Sequence, residues 1–147
     1  MADIIIRDMR EDDISSIIKI ERMSFSTPWS ETAFLNEIYK PYALNKVALF
    51  KSDVVGYVCV NSIVNEGHIL NLAVHPEFRR QGIALKLMKE VLKELKDKGC
   101  KFVYLEVRVS SFGVRKFYEK LGFKVISIRR DYYQFPVEDA ALMMLGL

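Results

Sequence analysis

Cysteine is scarce in this chain of 147 residues: Cys59 and Cys100 are the only two, each inside or beside an apolar run. A disulfide-stapled secreted scaffold is thereby excluded, and buried free thiols in a reducing cytoplasm are the expectation. No apolar stretch approaches the roughly 20 residues of a membrane span. The opening MADIIIRDMRED also lacks the basic start and apolar core of a secretory signal, so no membrane association is expected. Positive charge is not concentrated either. The net charge is only +3, with lysines and arginines spread along the chain, which gives direct nucleic-acid binding little support. Internal repeats, low-complexity tracts and linkers are absent. So are the Lys-Ser/Thr pair of a P-loop and the G-x-G-x-x-G of dinucleotide sites, which turns the reading away from ATP and NAD.

What is present suits one domain over residues 1–147. Half the residues are apolar and 28% are charged, enough to bury a proper core. IIIRDM reads as a strand. EDDISSIIKIERMSF follows with Ile14, Ile17, Ile18 and Met23 at helical spacing behind acidic residues that suit a first turn. Ser30 then opens a shorter helix with Phe34, Leu35 and Ile38 on one face, ended by Pro41. ALNKVALF, VVGYVCVNSIV and HILNLAV predict three antiparallel strands parted by Ser52-Asp53 and Asn65-Glu66-Gly67.

The strongest helical pattern runs from Gln81 to Lys98, with Ala84, Leu87, Met88, Val91, Leu92 and Leu95 on one face and Gly99 as its stop. KFVYLEVRV predicts a strand. SSFGVRKFYEKLG predicts a helix with Val114, Phe117, Tyr118 and Leu121 on one face, and FKVISIRRDYY and DAALMMLGL predict two last strands. The order is strand, two helices, three strands, helix, strand, helix, two strands.

Between the LNLAV strand and the long helix lies RRQGIA, Arg79 to Ala84. Amides in a helix first turn have no intrahelical partner, and the positive dipole end favours an anion, most naturally a phosphate. Gly82 and Ala84 let such a group approach the backbone, while Arg79 and Arg80 add charge at the rim. Taken alone, R-x-x-G-x-A is a weak motif and reads first as a relaxed turn with solvated arginines.

LNLAVHPEFRRQGIALKLM, VYLEVRVSS, FYEKLGF and IRRDYYQFPVEDAALMML occur in an order that resembles the GNAT acetyltransferases. Within them the chain is most similar to the ribosomal-protein-alanine N-acetyltransferases and their N-terminal acetyltransferase relatives. The resemblance extends over nearly the whole chain, FSTPWSETAF included. It implies an α/β fold: a mixed, mostly antiparallel seven-stranded sheet with a V-shaped split, flanked by four helices, with acetyl-CoA in the opening. It further implies that the pyrophosphate sits on the amides of Arg80, Gln81, Gly82, Ile83, Ala84 and Leu85, and that the pantetheine arm pairs with the backbone of Leu72, Ala73 and Val74. Ser111 stands where the family usually has an asparagine that contacts the cofactor; a serine is shorter and reaches the same atoms only through water.

Acetyl transfer to an amine needs a base for the amine and an acid for the leaving thiolate. Glu106 shares the strand face of Phe102 and Tyr104, so a carboxylate falls where an apolar residue would be expected. A surface or ion-paired glutamate is the other reading. The resemblance implies the proton acceptor, commonly acting through water. For Tyr118 the residues leave core packing open, and the resemblance implies the proton donor to sulfur. Gly113 inside a predicted helix costs on the order of 1 kcal/mol relative to alanine, which close approach of a ligand would explain.

The resemblance also points to a protein N-terminus as acceptor, that of a ribosomal protein among the candidates, with Tyr132 and Tyr133 on one side of its groove and Trp29 on the opposite rim. Aromatics capping the open end of the sheet are the alternative. A lysine side chain, a polyamine or an amino sugar are rival acceptors, and a non-catalytic acyl-CoA-binding module is the rival from another class. His68 and His75 have an odd spacing that puts them on opposite faces of one strand, so no metal is expected. Oligomeric state is not legible.

Overall fold

The computed structural model describes residues 3–147. Strand β1 (Ile4–Asp8) leads through a 3-10 turn into helices α1 (Ile14–Ser24) and α2 (Glu31–Ile38). Strands β2 (Lys46–Phe50), β3 (Asp53–Ile63) and β4 (Glu66–Val74) follow, then α3 (Ile83–Asp97), β5 (Phe102–Arg108), α4 (Phe112–Lys120), β6 (Lys124–Tyr133) and β7 (Glu138–Gly146). The seven strands form one sheet in the order β1-β2-β3-β4-β5-β7-β6. Every neighbouring pair is antiparallel except β4 with β5. The predicted element order and mixed sheet are those observed.

Local chemistry accounts for the elements. The Ser30 hydroxyl accepts from the Ala33 amide at 3.1 Å and caps α2. α3 buries Ile83, Leu87, Met88, Val91 and Leu95 along one stripe. At roughly 2 kcal/mol per buried aliphatic side chain, that stripe contributes on the order of 10 kcal/mol of gross transfer free energy. The helix starts at Ile83, two residues after the predicted Gln81, because Gly82 is left-handed (φ 80°) and occupies the N-cap.

Two cores lie on opposite faces of the sheet. α3 and α4 cover one, burying Val58, Val60, Val103, Leu105, Phe123 and Met143. α1 and α2 cover the other, where Ile17, Ile20 and Phe34 pack on Val47, Tyr57 and Cys59. Gly67 permits the close seat of α3, since a Cβ there would stand 2.7 Å from Leu95 Cδ1. Both cysteines are buried and free.

One irregularity positions everything that follows. β4 and β5 pair only at Glu66 with Phe102, Gly67 with Val103 and His68 with Tyr104. Beyond that third rung the two strands are no longer paired, and the sheet opens.

Candidate active site

The opening holds a cleft of about 950 Å³. Leu72, Ala73 and Val74 of β4 form one wall and Val114, Phe117 and Tyr118 of α4 the other, with the first turn of α3 between them. In that turn the first intrahelical bond runs from the Lys86 amide to the Gly82 carbonyl, so the amides of Ile83, Ala84 and Leu85 have no intrahelical acceptor. No acidic residue occupies the first turn and no side chain caps it. Its positive end is therefore uncompensated and open to an anion. Arg80 is also left-handed (φ 62°), and a Cβ on Gly82 would meet nothing within 4 Å, which leaves the approach to the backbone clear.

Most of the residues expected at a cofactor line this cleft: Leu72, Ala73, Val74, Arg79 and Arg80, with Gly82 through Leu85. Gln81 and Ser111 are not in its wall. Ser111 is the N-cap of α4 and makes no side-chain capping bond. Gly113 and Val114 face the cleft instead, and a Cβ on Gly113 would meet no protein atom within 4 Å. Arg79 departs from its expected part as free rim charge. Its Nε donates to the Val74 carbonyl at 2.9 Å and its Nη2 to Ser24 Oγ at 3.1 Å, tying the end of β4 to the end of α1.

Glu106 projects from the other side of β5. The sheet corrects the expectation that a carboxylate replaces an apolar residue there. Val103, Leu105 and Val107 form the buried face, whereas Phe102, Tyr104, Glu106 and Arg108 share the half-buried one. The Glu106 side chain is only 8% exposed, with Oε1 2.8 Å from His68 Nε2 and Oε2 3.9 Å from Arg129 Nη1. Burial by itself pushes the carboxyl up; the His68 hydrogen bond and the charges of His68 and Arg129 outweigh it and hold the group below the usual glutamate range. The His68 ring stacks on Tyr104, centroids 4.2 Å apart.

His68 is the residue that sequence reasoning missed, having weighed it only as a metal ligand. The face argument itself fails: β4 ends at Val74, and His75 caps the next turn, its Nδ1 accepting from the Glu77 amide at 3.1 Å. A bulge also leaves Leu70 without a partner on β3, which resets the alternation along β4. Only the parallel rung joining His68 to Tyr104 reveals the neighbour of Glu106.

Tyr118 is 5% exposed and packs edge-on against Phe117 and Phe123 at 5.1 and 5.5 Å, so its ring belongs to the core while it lines the cleft. The core-packing reading of the residue is thus compatible with a place at the cleft. Burial, then the proximity of Tyr133, pushes its phenol up, so it stays protonated through neutral pH. Tyr133 is itself pushed up to about 12, by burial first and then by Tyr132 and Glu106. Tyr133 thus lies within electrostatic reach of both Glu106 and Tyr118. Tyr132 packs edge-on against it at 5.0 Å.

Trp29 is placed differently. Its ring lies 5.1 Å from that of Phe34 against the α1/α2 core, and its amide donates to Glu21 Oε2 at 2.9 Å. Glu21, 1% exposed, also accepts from Tyr57 and Asn71, which anchors the connection between α1 and α2. The aromatic of that connection at the cleft is Phe25.

Comparison with known proteins agrees with this geometry. An N-alpha-acetyltransferase of Saccharolobus solfataricus is 37% identical over 155 residues, covering 96% of this chain and 92% of the relative. The crystal structure of the ribosomal-protein-S18-alanine N-acetyltransferase from Escherichia coli superposes with a TM-score of 0.91 at 30% identity, over 97% of this chain and 93% of that one. The fold of Arabidopsis thaliana NAA60, solved in complex with acetyl-CoA, matches with a TM-score of 0.90 at 20% identity, over 99% of this chain and 100% of that one. The acetyltransferase (GNAT) family model matches residues 14–123. With a sheet that opens after β4 and a bare helix terminus at the opening, the chain belongs to the GNAT acetyltransferase family.

Proposed function

We propose that this protein moves the acetyl group of acetyl-CoA to the N-terminal α-amine of a protein, a ribosomal protein being the leading candidate. One observation carries the reading. A cleft with unpartnered helix amides at one end reaches Tyr118, while Glu106, held ionised by His68, projects from β5 just past the rung at which β4 and β5 part. A diphosphate fits the amides of Ile83 to Leu85, and an extended acyl arm fits the apolar walls.

In the transfer, the amine nitrogen attacks the thioester carbonyl and a carbon–nitrogen bond forms. Glu106 takes a proton from that nitrogen, directly or through one water, and His68 holds the carboxylate in its basic form. As the carbon–sulfur bond breaks, the Tyr118 phenol gives its proton to the departing sulfur. Before the next turnover Glu106 gives its proton up to solvent and the phenolate recovers one from it, so no net proton is gained or lost. No covalent acyl-enzyme is required. Tyr132 and Tyr133 line the side of the groove where the acceptor chain lies, beside Glu106.

The test is release of CoA from acetyl-CoA with short peptides that vary at their first residues, alongside Nα-blocked and lysine-containing controls. Turnover confined to peptides with a free α-amine is the expected result. Turnover of the blocked lysine peptide, or of small amines alone, would replace the proposed acceptor.

A further inference from the structure

Two residues beyond Glu106 on the same face of β5 is Arg108. Its Nη1 donates to the Pro136 carbonyl at 3.0 Å and to Glu138 Oε1 at 3.1 Å, and its Nη2 donates to the Gln134 carbonyl at 3.0 Å. The guanidinium carbon also lies 4.5 Å from the centre of the Tyr133 ring. The second Glu138 oxygen accepts from the Ser110 amide at 2.7 Å, which joins the start of the α4 connection to the same cluster. One planar cation therefore holds both arms of the β6–β7 connection and covers the tyrosine next to it.

That connection needs such a clamp. β6 is the last strand of the sheet and is exposed along nearly its whole length, so no helix fixes it from either face. Its pairing with β7 is interrupted between Arg129 and Tyr133, leaving Tyr133 with Glu138 as the only rung beyond the break. Asp131 and Phe135, on either side of the two tyrosines, are both left-handed, which a bare hairpin would relax. Gln134 and Phe135 are exposed.

We propose that Arg108 is a positioning residue for the acceptor. It fixes the β6–β7 connection and the Tyr133 ring relative to Glu106, so that the base and the groove wall are set by one strand. The proposal rests on the reading of Tyr132 and Tyr133 as the acceptor groove. Arg108 itself touches neither the reacting atoms nor the cofactor cleft.

Arg108→Gln and Arg108→Lys separate this role from general stabilisation. With a peptide bearing a free α-amine, Arg108→Gln should raise the peptide KM about tenfold or more, leave the acetyl-CoA KM within twofold and leave kcat at saturating peptide within threefold. Arg108→Lys should not rescue the peptide KM, because one ammonium cannot reproduce a planar fork across three acceptors. Should Arg108→Gln fail to fold, Arg108→Lys carries the same test.

Tyr133→Leu completes a double-mutant cycle: in the Arg108→Gln background it should add little further loss, since both changes remove one arrangement. Independent, multiplicative losses would overturn the proposal, as would an unchanged peptide KM in both Arg108 variants or an equal rise in both KM values. If Tyr132→Ala and Tyr133→Leu leave the peptide KM unchanged, the groove reading fails and takes the proposal with it. If the tyrosine changes raise it and the arginine changes do not, the groove stands and only the role of Arg108 falls.

Discussion

His68 Nε2 and Glu106 Oε1 lie 2.8 Å apart, joining the last residue of β4 still paired with β5 to the carboxylate two positions past its own partner, Tyr104. The contact spans the point where the sheet opens. Removing its proton-accepting half, by Glu106→Gln, should lower kcat by about 10²-fold or more, the usual contribution of a positioned base. Acetyl-CoA affinity, read by calorimetry, should stay within twofold, because the cleft walls are untouched.

The same pair sets a pH dependence. Glu106 titrates below the usual glutamate range, so it is already ionised at every pH where the acceptor amine is neutral. In the native enzyme kcat/KM should therefore rise with pH through about 7.7 to 8.0, the range of a peptide α-amine, with no inflection from Glu106 above roughly pH 4.3. His68→Ala removes the chief influence opposing burial, and the carboxyl pKa should move up. A carbon-13 NMR titration of the Glu106 carboxyl checks this; an unmoved midpoint would deny His68 its part.

Tyr118 packs in the core and is the proposed proton donor, and Tyr118→Phe separates the two roles. The ring contacts with Phe117 and Phe123 survive in the variant, so its thermal midpoint should fall by no more than a few degrees. Loss of the proton donor should reduce kcat on the order of 10²-fold. Undiminished turnover would assign the residue to the core.

Gly82→Glu should abolish acetyl-CoA binding while the protein remains folded. The position is left-handed, which costs a non-glycine residue about 1 to 2 kcal/mol, yet no protein atom obstructs a side chain there. A carboxylate would enter the space in front of the free α3 amides and repel a phosphate. Gly82→Ala carries the backbone cost without the charge and should bind more weakly but measurably. Equal affinity of Gly82→Glu and the native protein would remove this site assignment.

Acid stability has a local source at the other end of the molecule. Asp13, buried before α1, accepts from Arg7 Nη1 and Nη2 at 2.8 Å each and from the Arg10 amide at 2.8 Å. Burial raises its pKa, but the Arg7 fork and the Arg10 amide together bring it below the aspartate range. The folded chain thus holds fewer protons at this site than the unfolded one. The resulting stability is present above about pH 3.9 and is lost as pH falls through the lower folded value. Asp13→Asn should cost about 2 kcal/mol at neutral pH and flatten the acid limb of stability in denaturant titrations.

Much of the fold is legible in one dimension because short-range rules write it. α3 announces itself through its apolar stripe, α2 through Ser30 and Ala33, and the cofactor end through the arginines and glycine ahead of Ile83. Glu106 and Tyr118 carry a resemblance in their immediate neighbours. Strand faces are less legible. On β5 the buried and half-buried residues alternate as a strand must, but both sets contain large apolar or aromatic side chains, so the pattern does not say which set faces the core.

The sequence by itself determined the order of elements, the bare helix terminus at Gly82 and the residue types available for acid and base, since each depends on neighbours within a turn or a strand. Tertiary structure alone decided who meets whom. His68 reaches Glu106 across 38 positions, Arg79 reaches Ser24 across 55 and Arg108 reaches Pro136 across 28. Those meetings depend on strand order, on the rung at which β4 and β5 part, and on a bulge that shifts one strand by a residue. Local propensity cannot encode them, because a one-residue change of register turns each side chain to the opposite face.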